Sequence, residues 1–320
     1  MLVARLNDGL HRPGDRFLSN RAVADQYGVS YQTADRLVRE LVAAGLLERR
    51  PASGSYVPGR RMVLSGVQLI VHRRARRPQS FGARLLAELT TRLDRERLDW
   101  TISWSGGRQV RVADDRYPVV WEDPASLRRL ILARRPALLL NNRPPAGLDS
   151  LFIDSVSVDD FSGGACAAQL LVGARSSPLK LSVLSGPGDD PRSLARVAGF
   201  TSIANARVVP SPDWFFEGGS LVAARVIADG RDGIFCCNDR LAEAIIRHCR
   251  ATDQPTPPLV GFDDAPIAQS LGLTTIAIPW AEMVSAAMSV IARRLAGDTT
   301  TAAIAHIVAT RPVVRRTTSK

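Results

Sequence analysis

Lysine is almost absent: Lys180 and Lys320 stand beside forty arginines in 320 residues. Cysteine is scarce as well. Cys236 and Cys237 sit in the apolar run GIFCC, Cys166 and Cys249 stand alone, and no C-x-x-C or zinc-type Cys/His spacing occurs. That excludes a disulfide framework and a metal centre, leaving buried free thiols as the expectation. No apolar run reaches the ~18–20 residues a membrane helix needs. The opening MLVARLNDGLHRPGD soon turns polar and holds no apolar signal stretch. These absences imply a cytoplasmic chain without a membrane partner. Catalytic signatures are missing too. There is no G-x-S-x-G, Walker A or G-x-G-x-x-G run, and His11, His72, His248 and His306 show no paired spacing. The aspartate pairs at 159–160, 189–190 and 263–264 lack the histidine or glutamate a dimetal site would want. Neither an enzyme nor a cofactor is expected.

What is present has globular composition, 45% apolar and 23% charged, which excludes a disordered or fibrous chain. The length accommodates two or three domains at roughly 100–200 residues each. Charge is unevenly distributed. The first 80 residues hold fourteen arginines and six acids, whereas the other 240 hold 28 basic and 25 acidic residues. An arginine-rich genome explains arginine over lysine but not an excess at one end. A polyanion-binding module joined to a near-neutral domain explains it.

Residues 1–57 read as short helices followed by a hairpin. Ser19 is placed to cap a helix running through Val23 and Tyr27 to Gly28. Ser30 caps a second, on which Ala34, Leu37, Val38 and Leu41 recur along one face until Gly45. Leu46–Arg50 and Ser55–Val57 then read as two strands turning through PASG. Two helices joined by Gly28-Val29, then a hairpin, make a winged helix-turn-helix. Its charges serve either DNA or a protein contact.

The run RPGDRFLSNRAVADQYGVSYQTADRLVRELVAAGLLERRPASGSYV resembles the GntR-type winged helix over about 45 residues. The resemblance implies that the second of these helices enters the major groove of double-stranded operator DNA. Ser30 would open that helix, and Tyr31, Gln32, Thr33, Arg36 and Arg39 would be the residues left exposed to the DNA. Ser19 and Arg21 match backbone-contacting positions, and Arg49 and Gly54 place the wing near phosphate. Two departures stand out: the family usually has arginine where Tyr31 and Asp35 stand. Gln32 can read adenine bidentately. Asp35 must either accept from a cytosine amino group or pair with Arg36 or Arg39. Few residues precede His11, so the first helix is expected to be short.

Residues 58–65 read as a linker, and 66–320 as a second domain. Strand candidates are 66–71, 100–104, 137–141, 180–184, 233–237, 258–261 and 273–277. Between them lie amphipathic helices at 81–97, 124–134, 191–204, 216–229, 239–251 and 279–296, with 105–123 irregular. This alternation predicts a doubly wound α/β fold, and its length favours two lobes.

Five segments in order, VSVDDFSGG at 156–164, GP at 186–187 with RVAGF at 196–200, DGIFCCND at 232–239, VGFDD at 260–264 and LTTI at 273–276, resemble the LacI/GalR repressor core. The family is related to periplasmic sugar-binding proteins, so the resemblance implies a two-lobed, periplasmic-binding-protein-like sensor. Carried over by position, Arg196 would bond sugar hydroxyls, Asn238 and Asp263 would line the pocket, and Trp214 would stack on the sugar face. Asn238 and Asp263 equally suit turns at strand ends, and Trp214 equally suits a core. The run HRRARR at 72–77 is either a solvated loop, extra phosphate contacts, or a cleft wall suited to an anionic effector. Nothing like the LacI hinge helix lies between Val57 and Ser65.

Together these readings predict a homodimeric, ligand-responsive transcription regulator. It would repress carbohydrate-utilisation genes until a sugar, sugar phosphate or sugar acid releases it. Alternatives are a constitutive DNA-binding regulator with a degenerate or non-sugar pocket, and a solute-binding protein.

Overall fold

The computed structural model describes residues 2–7, 11, 14–58, 64–106, 109–133, 135–145, 152–173, 179–228, 230–298 and 303–318. Residues 59–63 of the expected linker, and Arg12 and Pro13 at the start of the GntR-like run, lie outside them. The chain divides into two compact units. Unit 1 comprises Met1–Arg76, Leu86–Ser157 and Val284–His306; unit 2 comprises Arg77–Leu85, Val158–Met283 and Ile307–Lys320.

Unit 1 begins with α1 (Leu2–Asn7), α2 (Asn20–Tyr27) and α3 (Tyr31–Ala43), then the hairpin of β1 (Glu48–Arg50) and β2 (Gly54–Tyr56). The Ser19 hydroxyl accepts from the Ala22 N–H at 3.1 Å, and α2 stops at Gly28 in the left-handed region, φ 64°. Ala34, Val38 and Leu41 pack into a core with Val23, Phe17 and Leu6. The first wing strand starts later than its residue types predict. The Leu46 N–H donates to the Leu41 carbonyl at 2.9 Å, and Leu46 and Leu47 are buried in that core.

After the linker come β3 (Gly66–His72), a 3-10 turn (Arg73–Arg76), α4 (Phe81–Arg95), β4 (Trp100–Ser105), β5 (Arg116–Trp121), α5 (Pro124–Leu132), β6 (Ala137–Leu140) and β7 (Ile153–Val158). Two elements were not anticipated. β5 lies inside the stretch expected to be irregular, where Pro118 argues against a strand; it nevertheless pairs in parallel with both β3 and β6. β7, of sequence IDSVSV, reads as polar yet is buried throughout.

Unit 2 continues with α6 (Asp160–Val172), β8 (Leu181–Ser185), α7 (Pro191–Thr201), β9 (Ala206–Pro210), α8 (Phe216–Ile227), β10 (Gly233–Cys236), α9 (Asp239–Ala251), β11 (Leu259–Asp263), α10 (Pro266–Leu271) and β12 (Thr274–Ala277). The long α11 (Trp280–Leu295), β13 (Ala305–Val308) and β14 (Arg311–Val313) close the chain. The unit 2 sheet has order β14-β12-β11-β10-β8-β9, with β14 antiparallel to β12 and the other pairs parallel. The other sheet has order β13-β7-β6-β5-β3-β4. The expected doubly wound α/β architecture is therefore present. The overlooked α6 carries paired glycines, which weaken a helix by ~1 kcal/mol each relative to alanine. They permit close packing on α7: a Cβ on Gly164 would lie 2.0 Å from the Arg196 carbonyl.

β7 is buried because its aspartate has a dedicated partner. Arg294 on α11 donates to Asp154 through Nε at 2.8 Å and Nη2 at 2.6 Å, and the Ile304 N–H adds a third bond at 2.7 Å. The Tyr117 hydroxyl donates to the same carboxylate. Both members of the ion pair are buried completely. Burial and the Asp154 charge push the Tyr117 hydroxyl well above its ordinary range. Removing one partner of such a pair strands the other. Arg294→Met is expected to cost about 3–5 kcal/mol, measured by chemical denaturation, with Asp154→Asn in the same chain restoring part of the loss.

Candidate functional site

The N-terminal turns of α3 form one polar face. Tyr31 is 55% exposed, and Gln32, Arg36 and Arg39 are also exposed. Ser30 and Thr33 are engaged locally. The Ser30 hydroxyl accepts from the Thr33 N–H at 3.1 Å and lies 2.9 Å from the Thr33 hydroxyl. Asp35 accepts from Asn20 Nδ2 at 2.7 Å, pairs with Arg39 and stands 3.6 Å from Arg49. The hydrogen bond from Arg39 holds its carboxyl below the ordinary range. Of the two pairings open to Asp35, the one with Arg39 is made; Arg36 instead faces Glu40 at 3.9 Å. Arg21 is exposed at the start of α2, and Gly54 in the wing packs beside the Arg16 guanidinium.

In unit 2 the expected effector residues meet at the carboxyl ends of parallel strands, where doubly wound folds leave a crevice. The Asp190 carboxylate caps α7 by accepting from the Arg192 N–H at 2.9 Å, and the Arg192 side chain closes bidentately on it at 3.0 and 2.6 Å. The Trp214 indole N–H donates to the same group at 3.0 Å. Burial pushes this carboxyl up, but the Arg192 bonds and charge outweigh it and hold Asp190 at about 2. The Trp214 ring lies over Gly186, where a Cβ would come within 2.5 Å of it.

Arg196 lies one turn along α7, only 3% exposed. Its Nε donates to Asp160 at 2.7 Å, and its Nη1 to the Cys237 carbonyl and to Asp263 at 3.5 Å. The guanidinium rests on the Phe262 ring, 3.6 Å from its centroid. Asp263, the last residue of β11, and Asp264 after it have φ of 99° and 50°, in the region non-glycine residues rarely adopt. Burial pushes the Asp263 carboxyl up to about 6, against the pull of Arg196. Asp239, beneath it, accepts from the Thr275 hydroxyl and the Ala265 N–H, both at 2.7 Å. Burial and the Asp263 charge push it well up. Asn238 caps α9, accepting from the Leu241 N–H at 2.8 Å and donating to the Trp214 carbonyl at 2.8 Å. Its amide thus positions the segment bearing Trp214.

The four expected residues come together, joined by Asp160, Asp190 and Arg192, which sequence reasoning missed. The signal for the last was available: Arg192 and Arg196 are four apart on one helix, behind an Asp-Pro cap. The arginine run at 73–77 is no bare cationic loop. In unit 1, Arg74 pairs with Glu122 and Arg76 stacks on Trp104 at 4.4 Å. In unit 2, Arg77 stacks on Phe215 at 3.8 Å and pairs with Glu217 at 2.8 Å.

Residues 1–57 match the gntR family of bacterial regulatory proteins, and residues 179–318 match the periplasmic binding protein-like domain. The chain joins a GntR-type winged helix to a periplasmic-binding-protein-like domain. It is built as a transcription regulator. The sequence matches no curated protein. Among solved structures, the complex of the transcriptional regulator CelR with cellobiose is 19% identical with TM-score 0.67, covering 94% of this chain and 100% of that one. A LacI family regulator from Enterococcus faecium, with bound ribose, is 18% identical with TM-score 0.66, over 79% of this chain and 98% of that one. A LacI-family regulator from Sanguibacter keddieii is 21% identical with TM-score 0.64, over 80% and 100%. These likenesses are of fold. No helix among the described residues is long and apolar enough to cross a membrane.

The titration of Asp263 gives the periplasmic-binding-protein-like domain a pH dependence of definite sign. A carboxyl raised in the folded state binds its proton more tightly there than in the unfolded chain. Its contribution is complete below the unfolded value of 3.8 and is lost as pH rises through about 6. Asp190 acts oppositely, contributing above 3.8 and losing that contribution as pH falls through about 2. Asp263→Asn is therefore expected to remove a decline on the order of 2–3 kcal/mol across that upper window, read by chemical denaturation at stepped pH.

Proposed function

We propose that the protein is a cytoplasmic, homodimeric repressor that a carbohydrate or carbohydrate derivative releases from its operator. The observation that carries the reading is the convergence of Asp190, Arg192, Arg196 and Asp263 beside the Trp214 indole. Paired donors and acceptors suit vicinal hydroxyls, and an aromatic face suits the C–H face of a sugar ring. Arg196, Trp214, Asn238 and Asp263 are the proposed effector residues. The cellobiose and ribose bound in two structural relatives support the ligand class. On the winged helix, Tyr31, Gln32, Thr33 and Arg36, with Ser30 setting the helix start, are proposed to face bases. Ser19, Arg21, Arg49 and Gly54 are proposed to face phosphate. Effector binding then weakens operator binding by about 5–150-fold, the usual range of allosteric coupling.

The test is a thermal-shift panel on the full chain with neutral sugars, sugar phosphates and sugar acids. A ligand at 100 times its dissociation constant adds about 2.7 kcal/mol, a rise of a few degrees. One class is expected to raise the melting temperature, and Trp214→Ala to abolish the rise. Silence across all three classes favours a second reading, a regulator that binds DNA without sensing sugar. One observation speaks for it: Arg196 and Asn238 already spend their hydrogen bonds inside the protein.

Base reading has its own test. Gln32→Ala is expected to cost about 1–3 kcal/mol of operator affinity while leaving binding to random duplex unchanged. Equal loss on both duplexes, measured by fluorescence anisotropy, would remove Gln32 from the reading residues.

A further inference from the structure

Unit 1 contains a cavity of about 460 Å³ in the segment preceding β5, within the usual range of small-molecule pockets. Its apolar floor is Val110, Val112 and Leu130, and Arg111, Arg129 and Arg135 surround it. Among the described residues no carboxylate belongs to the lining. Such a wall carries three positive charges, faced from outside the lining by Asp114 and Asp115 at Arg135.

The arginines are held in place by neutral acceptors. Arg129 Nη2 donates to the Val110 carbonyl at 3.0 Å and the Ser126 hydroxyl at 2.9 Å. Arg135 Nη2 donates to the Arg116 and Ala113 carbonyls. Its Nη1 reaches Asp114 at 3.3 Å, but that carboxylate is fully exposed and worth little as a partner. Arg135 Nε is buried with no acceptor. Burial pulls the Arg135 pKa down, against the charges of Asp114 and Asp115. Arg111 is exposed.

The cavity wall is fixed beforehand. Val110 is buried with Ile70, Val120 and Leu130. Gln68, itself buried, donates to the Arg111 carbonyl at 2.9 Å and accepts from the Ala113 N–H at 2.9 Å. At the far end of the wall, Asp115 accepts from the Ser65 hydroxyl at 2.6 Å, and its carbonyl accepts from the Ser65 N–H at 2.7 Å. Ser65 is where the chain enters β3 from the linker. The start of β3 is thus tied to Asp115, three residues beyond the lining residue Val112.

We infer that this cavity binds a small organic anion, a phosphate or carboxylate carried on an apolar body, at a site other than the Arg196 cluster. Guanidinium groups recognise such oxyanions bidentately. The anion supplies counter-charge for Arg111 and Arg129 and an acceptor for Arg135 Nε, while its body covers the valine and leucine floor. A DNA backbone phosphate would satisfy the charge but leave that floor uncovered. The inference goes beyond the proposed function and survives if no sugar binds.

Calorimetry on the full chain at low salt tests it, with phenyl phosphate as the probe. Phenyl phosphate is expected to bind saturably at one site per chain, inorganic phosphate at least tenfold more weakly, and benzyl alcohol not at all. Arg129→Gln and Arg111→Gln are each expected to weaken phenyl phosphate at least tenfold, and Trp214→Ala to leave it unchanged. Arg111 is exposed, so its variant keeps the test open if Arg129→Gln fails to fold. No saturable binding overturns the inference, as does inorganic phosphate binding as tightly as phenyl phosphate. Binding lost in Trp214→Ala but kept in Arg111→Gln puts the anion in the Arg196 cluster and overturns it too. If Arg111→Gln weakens only binding to random duplex, the arginines serve DNA and the inference fails.

Discussion

One buried guanidinium organises the second unit. Arg196 belongs to α7, yet it reaches Asp160 at the start of α6, the carbonyl of Cys237 after β10, and Asp263 at the end of β11. Removing a cation from water costs several kcal/mol, recovered only when charges and acceptors surround it closely. Two carboxylates, a carbonyl and the Phe262 ring meet that requirement. The demand runs outward from there. Gly164 must be small because the α7 backbone behind Arg196 presses on α6, and Asp263 takes an unfavourable backbone angle while its carboxylate faces the cation. Helices, strand ends and site share one fixed point.

Local chemistry was legible in the sequence and tertiary chemistry was not. Ser19 and Ser30 as caps, Gly28 as a stop and the Ala34–Val38–Leu41 face depend on neighbours within one or two turns. Each stands where its residue types predict. β5 and β7 were missed because their sequences argue against them, with a proline in one and alternating serines and an aspartate in the other. They form because β3 and β6 flank one, and Arg294 comes from 140 residues away to the other. The short edge strands β9, β13 and β14 carry little apolar periodicity and are held by one neighbouring strand. At the site, Arg196, Trp214, Asn238 and Asp263 were legible through a resemblance of motifs. The capping role of Asn238 and the Asp190–Arg192–Trp214 link required the fold.

Arginine is so abundant here that its presence alone identifies nothing; its partners do. In the winged helix, Asp35 takes up Arg39 of α3 and approaches Arg49 of the wing. What that helix leaves uncommitted at its start is Tyr31 and Gln32, neutral groups suited to hydrogen bonding and stacking. In the 73–77 run, aromatic rings and glutamates occupy the charges. Around the cavity beside α5 the guanidinium groups instead rest mainly on neutral carbonyls and a serine. The same residue type thus yields cations paired on a helix, a packed turn and a wall held mainly by neutral acceptors.

Both sheets draw an edge strand from one short stretch near the end of the chain: β13 borders one and β14 the other. Neither sheet is complete in a nascent chain until residues 305–313 have emerged from the ribosome. The winged helix has all its helices and strands within the first 57 residues. At about 5–20 residues per second, the interval between the two events is roughly 10–50 s. Every helix and strand of the winged helix is therefore made before either sheet can close, whereas Phe152, which joins the core of that head, follows only later.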